Sequence, residues 1–134
     1  MKDYFNLVKS YLLQLQMEIR HENRQQGILV VNNVEEGIVN LILCVAPPIL
    51  IFEQYIFEIS GSPNGVYKAL LQKNRDIIHG SFVLDETGAR VIFRDTLQIE
   101  NLDINEFEAT LNSLSLLLSE YAGQIINFSK KHTV

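Results

Sequence analysis

The sequence predicts an α+β fold: an antiparallel β-sheet flanked by helices, in the order helix, three strands, helix, two strands, helix. Three observations carry this. Apolar residues recur three and four apart near the start and again over residues 103–128, while short runs bounded by turn formers fill the middle. The stretch Leu70 to Ile99 reads as a helix end, a strand, a tight turn and a second strand.

The first helix is expected over residues 3–20, where Phe5, Val8, Leu12, Leu15 and Ile19 form one stripe that Tyr4 and Tyr11 widen. Leu13 and Met17, four apart and well away from that stripe, would make a second apolar patch. The polar run His21 to Gly27 should end the helix and lead into a strand at Ile28-Leu29-Val30-Val31. After a turn from Asn32 to Gly37 comes a strand from Ile38 to Val45. The Ala46-Pro47-Pro48 break cannot sit inside a central ladder, because two successive residues lack an N–H.

Ile49 to Ile59 alternates as a long strand, with Leu50, Phe52, Gln54, Ile56 and Glu58 expected on one face and Ile51, Glu53, Tyr55, Phe57 and Ile59 on the other. Ser62-Pro63 reads as an N-cap followed by a first-turn proline, and Val66, Tyr67, Leu70 and Leu71 give the second helix its buried face. That helix fades at Asn74-Arg75-Asp76. Ser81 to Leu84 and Ala89 to Arg94 form a hairpin around Asp85-Glu86-Thr87-Gly88, with Arg90, Ile92 and Arg94 on a partly wet face. Neither GxxxxGK[ST] nor GxGxxG is present, so the glycine serves the turn and not a phosphate.

The last helix is the clearest. Asp103 and Glu106 have capping spacing, and Ile104, Phe107, Leu111, Leu114, Leu118, Tyr121, Ile125 and Phe128 form an unbroken stripe suited to covering a sheet. Leu116 lies nearly opposite, flanked by Ala109, Ser113 and Gly123, a small-residue face that permits close approach by another element. Lys130-Lys131-His132 suits the negative end of the helix dipole.

At 134 residues the chain is expected to be one domain, residues 1–134, with a single core. Sixteen acidic against eleven basic residues give a net charge of −5 and no basic stripe, which argues against nucleic acid. The one cysteine, Cys44, lies in an apolar run and is expected to be a small buried hydrophobe. The N-terminal residues lack a secretion signal, and the apolar stretch Ile38 to Phe52 is too short and too interrupted to span a bilayer, so a cytoplasmic protein with no membrane partner is expected. His21, His79 and His132 lack metal-ligand spacing, and Glu53 and Glu58 are placed on opposite strand faces; no metal, cofactor or catalytic set is expected.

The element order, and above all the segment LLQKNRDIIHGSFVLDETGARVIFRDTLQIENLDINEFEATLNSLSLLLSEY, resembles the YbjN-type domains, which share the fold of the type III secretion chaperones. The resemblance is carried by a leucine-rich helix end with Asn74, an apolar strand, an acidic-glycine turn, a strand with arginines and a long terminal helix. It implies a bacterial, commonly dimeric, non-enzymatic protein that holds a partly unfolded client on apolar surface patches. On that reading the protein-binding residues are Leu13, Met17, Gln54, Ile56, Arg90, Arg94 and Leu116. Two alternatives stand beside it: an inhibitor or regulator of one specific protein, and a small enzyme with a site around His79, beside Asp76 or Asp85.

Overall fold

The computed structural model describes residues 2–61 and 64–129, with their side chains except at residue 64 and residues 126–129. The elements run α1 (Tyr4–Gln14), β1 (Glu18–Asn23), β2 (Ile28–Asn33), a short 3-10 turn (Val34–Glu36), β3 (Ile38–Ala46), β4 (Ile49–Glu58), α2 (Asn64–Asn74), β5 (Ser81–Leu84), β6 (Arg90–Gln98) and α3 (Ile104–Ser129). One six-stranded antiparallel sheet has the order β1-β2-β3-β4-β6-β5. The α+β class and the succession of elements from β2 onward are as the sequence predicts. The expected capping residues Ser62 and Pro63 and the Lys130-Lys131-His132 cluster lie outside the described residues.

The first helix is shorter than its periodicity suggests, and an additional strand, β1, takes up its far end. Gln16 adopts φ +60°, the Met17 N–H reaches back to the Leu12 carbonyl (3.0 Å) and the Gln16 N–H to the Leu13 carbonyl (3.1 Å). This is a Schellman stop, whose characteristic contact joins the residue after the left-handed position to one in the last turn. Met17 and Leu12 are accordingly both buried. Ile19, expected on the helical stripe, instead points from β1 toward the core. At the other end Asp3 caps α1, accepting from the Asn6 N–H (3.0 Å). Arg24, from the β1–β2 turn, grips both Asp3 oxygens and Asn6 and lies over the Phe5 ring, fastening that turn to the helix.

The core lies between one face of the sheet and the helices. Leu29, Val31, Leu41, Leu43, Leu50, Phe52, Val91 and Phe93 face inward and meet Val8 and Leu12 of α1 and Phe107, Leu111 and Leu114 of α3. Phe107 sits at the centre, its ring 5.4 Å from that of Phe52 and 5.6 Å from that of Tyr11. The Tyr11 hydroxyl donates to the Leu102 carbonyl (2.9 Å), tying α1 to the start of α3, where Asp103 caps by accepting from the Glu106 N–H (2.8 Å). Lys73 lies over the Tyr121 ring, joining α2 to α3. Two tight backbone approaches require glycine. A Cβ on Gly27 would stand 2.4 Å from the Val45 carbonyl oxygen, and one on Gly80 would stand 2.4 Å from the Phe93 ring.

Strand β4 departs from simple alternation. Its register against β6 shifts between Tyr55 and Phe57, so Ile56 is the extra residue of a bulge. Beyond it the faces exchange: Phe57 turns into the core, and Glu58 comes opposite Arg90, on the same face as Glu53 opposite Arg94. The expectation that Glu53 and Glu58 lie on opposite faces is therefore corrected, as is the grouping of Phe57 with Ile51, Glu53 and Tyr55, whereas Ile56 packs against the core on the side of Leu50 and Phe52.

Candidate protein-binding surfaces

The helices cover one face of the sheet only. The register fixes what occupies the other: Ile28, Cys44, Ile51 and Thr96 lie in one row, Val30, Ile42, Glu53 and Arg94 in the next, and Tyr55, Ile92 and Val83 in a third. None of these belongs to the core or packs against it. Antiparallel sheets with one wet face normally alternate apolar inward and polar outward. Here the outward positions are mostly aliphatic, and Ile42 and Tyr55 are 43% and 53% exposed. Cys44 is half-buried on this face and not in the core, which corrects its expected placement.

The charges on this face come in opposed pairs. Arg94 donates to Glu53 at 2.6 Å, and Arg90, opposite Glu58, lies 5.9 Å from the Tyr55 ring centre. Both partners of the Glu53–Arg94 pair are more than a third exposed, so it contributes at most about 1 kcal/mol to stability and acts mainly to neutralise the face.

Two apolar grooves lie beside the helices, and the second reaches round the β5 edge to Val83 of the open face. The first, about 320 Å³, lies between α3 and the connection from α2 to β5; Ile77, Ile78, Leu116, Leu117 and Tyr121 supply its apolar wall. Ile78 is 88% exposed and Leu116 58%. The small-residue face of α3 is met here by a loop and not by a helix: Ser113 donates its hydroxyl to the His79 carbonyl (2.7 Å). The second groove, about 440 Å³, runs between α2 and β5, lined by Tyr67, Leu70, Leu71, Phe82, Val83 and Leu84. Leu71 and Leu84 are exposed there.

Beside this groove the outer edge of β5 is closed by one side chain. The Asn74 carboxamide accepts from the Phe82 N–H (2.7 Å) and donates to the Phe82 carbonyl (3.1 Å). An amide has the donor and acceptor spacing of a peptide group, so Asn74 stands where a neighbouring strand would pair. The hairpin beyond is held by Asp85, which accepts from the Thr87 hydroxyl (2.6 Å) and from the Thr87 and Arg90 N–H groups (3.1 and 3.3 Å). The Thr87 hydroxyl first, and then these amides and the Arg90 charge, hold the Asp85 carboxyl below its ordinary value against a smaller opposing effect of burial.

The structure distributes the residues expected to bind protein unequally. Arg90, Arg94 and Leu116 are at the surface, the arginines on the open sheet face and Leu116 in the α3 groove. Leu13 is exposed, but Met17 is buried by the Schellman turn, so the two form no common patch. Gln54 is also buried: its amide donates to the Gly37 carbonyl (3.2 Å) and accepts from the Val39 N–H (3.1 Å), which fastens the start of β3. Ile56 packs partly on the core at the bulge. Sequence reasoning missed Ile42, Ile51, Tyr55 and Ile92 as a set, Ile78, and the edge role of Asn74. His79 and Asp76 line the α3 groove together, whereas Asp85 is committed to its turn. Among the described residues no hydrogen bond joins His79 to either carboxylate and no group of three or more candidate metal ligands occurs. No described helix is long and apolar enough to cross a membrane.

Comparison with known proteins places this architecture. YbjN from E. coli superposes with a TM-score of 0.66 at 13% identity, covering 89% of this chain and 91% of that one. The HopA1–SchA chaperone–effector complex gives a TM-score of 0.62 at 12% identity, covering 94% and 92%. The Yersinia pestis type III secretion chaperone SycH, solved in complex with a stable fragment of YscM2, gives 0.56 at 17% identity, covering 94% and 99%. At these identities the likeness is one of fold. No curated protein matches the chain in sequence. The CesT_Tir_1 family matches residues 1–131, nearly the whole length, and the chain belongs to this family of type III secretion chaperones.

Proposed function

We propose that this chain is a non-enzymatic, cytoplasmic homodimer that holds a client polypeptide by its apolar side chains. The observation that carries the reading is the pair of grooves beside α3 and α2, which present Leu71, Ile78, Leu84 and Leu116 to solvent. Monomeric proteins rarely leave several large apolar side chains beside preformed concavities unless something docks there. An extended or partly unfolded segment suits them, because the grooves accept side chains one or two at a time and do not enclose a small molecule. Family membership supports the chaperone role, and the chaperone complexes among the structural relatives support a protein partner. The net charge of −5 disfavours a nucleic-acid partner.

The absence of tryptophan from the chain provides a clean assay. A tryptophan-bearing peptide of alternating apolar and polar residues is titrated with the protein, and its fluorescence reports binding without background. The double variant Ile78→Asp/Leu116→Asp should weaken binding at least tenfold, because each substitution puts a charge on the groove wall. Affinity unchanged in that variant and in Leu71→Asp would remove both grooves from the proposed function.

A further inference from the structure

We infer that the groove between α3 and the connection from α2 to β5 selects client segments in which an aliphatic residue stands next to a lysine or arginine. This rests on the client part of the proposed function and adds to it a charge requirement at one of the two grooves. Two ties set the banks of this groove. Lys73 lies 4.1 Å from the centre of the Tyr121 ring at one end, and the Ser113 hydroxyl donates to the His79 carbonyl (2.7 Å) at the other. The chain from Lys73 to His79 therefore runs antiparallel to α3 and leaves a cleft alongside it. Between Ser113 and Tyr121 the helix rises about 12 Å, which an extended chain covers in about three or four residues.

Charge decides what such a segment carries. Asp76 stands on one bank and Glu120 on the other, and no lysine or arginine lines the groove. Both acids are exposed, and among the described residues neither takes part in an ion pair. Lys73 is engaged over the Tyr121 ring, and even with it counted the banks carry a net negative charge. Ile78 and Leu116 lie toward the His79 end, whereas Glu120 is next to Tyr121 and Asp76 is midway along its bank. A segment that sets an aliphatic side chain between Ile78 and Leu116 thus carries its neighbouring side chains past two carboxylates. The stem of a lysine or arginine can lie along the apolar wall while its head reaches them, and an acid in the same place is repelled twice. No charged side chain lines the α2–β5 groove, which makes no such demand.

Two tryptophan-bearing peptides test this, identical except that a pair of lysines or a pair of glutamates stands beside the central leucine. They are titrated with the protein at about pH 8, where an imidazole carries no charge. An exposed ion pair changes affinity by up to about fivefold, and here two attractions are exchanged for two repulsions. The lysine peptide should therefore bind at least about tenfold more tightly at about 0.01 M salt, and the preference should fade at about 1 M, where screening acts within about 3 Å. In Asp76→Asn/Glu120→Gln the preference should drop below about threefold. Glu35→Gln/Glu100→Gln removes the same charge from two exposed acids outside both grooves and should keep it. Circular dichroism checks that both variants remain folded. A preference absent from the parent, or kept or lost alike by the two variants, would overturn the inference and leave the grooves as charge-blind apolar sites. Failure of both peptides to bind the parent would overturn the client reading itself, and this inference with it.

Discussion

Replacing Asn74 by alanine removes two hydrogen bonds at a single site, the acceptor for the Phe82 N–H (2.7 Å) and the donor to the Phe82 carbonyl (3.1 Å). A net hydrogen bond is worth about 0.5–1.5 kcal/mol, and the pair here is short and part-buried, so Asn74→Ala should cost about 2 kcal/mol. For a chain of this length the unfolding entropy near the midpoint is about 0.28 kcal/mol/K, which turns that cost into a fall of about 7 °C in Tm. Asn74→Asp separates the two bonds. It keeps the acceptor, but at neutral pH its carboxylate faces the Phe82 carbonyl with no proton between them. The folded variant therefore binds a proton more tightly than the unfolded chain, and its pKa lies above the unfolded value of about 3.9. Its stability should be greatest below that value and fall as pH rises through the window up to the raised folded pKa. The assay is thermal unfolding by circular dichroism at a series of pH values. A fall in Tm of less than about 2 °C for Asn74→Ala, or a pH profile for Asn74→Asp parallel to that of the parent, would refute the edge-closing role.

Two further outcomes follow from the geometry. Met17→Asp, placing a charge at a residue 6% exposed, should destabilise by at least about 3 kcal/mol in urea unfolding, whereas Leu13→Asp, four residues earlier and exposed, should stay within about 0.5 kcal/mol; similar small effects would put Met17 at the surface. Because the Asp85 carboxyl is held low in the folded state, its contribution to the hairpin is fully present above the unfolded value near pH 4 and is lost as pH falls through the folded value; Asp85→Ala should flatten that acid limb of stability, and an unchanged limb would show that the turn does not depend on the ionised group.

The fold was legible wherever burial is written as periodicity. The stripe of α3 marks a helix that lies on a sheet, and Val91, Phe93 and Asp95 face inward as their alternation with Arg90, Ile92 and Arg94 indicates. Strand β1 was not legible, because Glu18, Arg20, His21, Glu22 and Asn23 surround a single inward aliphatic, Ile19, and an edge strand protected by charge has no apolar alternation to read. The end of α1 was hidden for a different reason: Gln16 takes a left-handed conformation more common for glycine or asparagine, so no stop signal precedes Met17. The surface sites were only partly legible. Arg90, Arg94 and Leu116 stand at surfaces, but Gln54 looked exposed as a polar residue on a mixed strand and is buried because the irregular start of β3 leaves the Gly37 carbonyl and Val39 N–H for it to satisfy.

The bulge at Ile56 is where local irregularity and surface chemistry meet. With unbroken alternation, β4 would carry Phe57 outward and Glu58 inward, against the core that Val91 and Leu70 help to form. One extra residue reverses both: the aromatic ring is buried, and the carboxylate reaches the open face opposite Arg90. Without that reversal Arg90 would have no acid across from it, and the face would carry a net positive charge from Arg90, Arg94 and Glu53. The residue that breaks the strand's period thus both buries the Phe57 ring and balances the two arginines of β6 with two carboxylates of β4 on the open face.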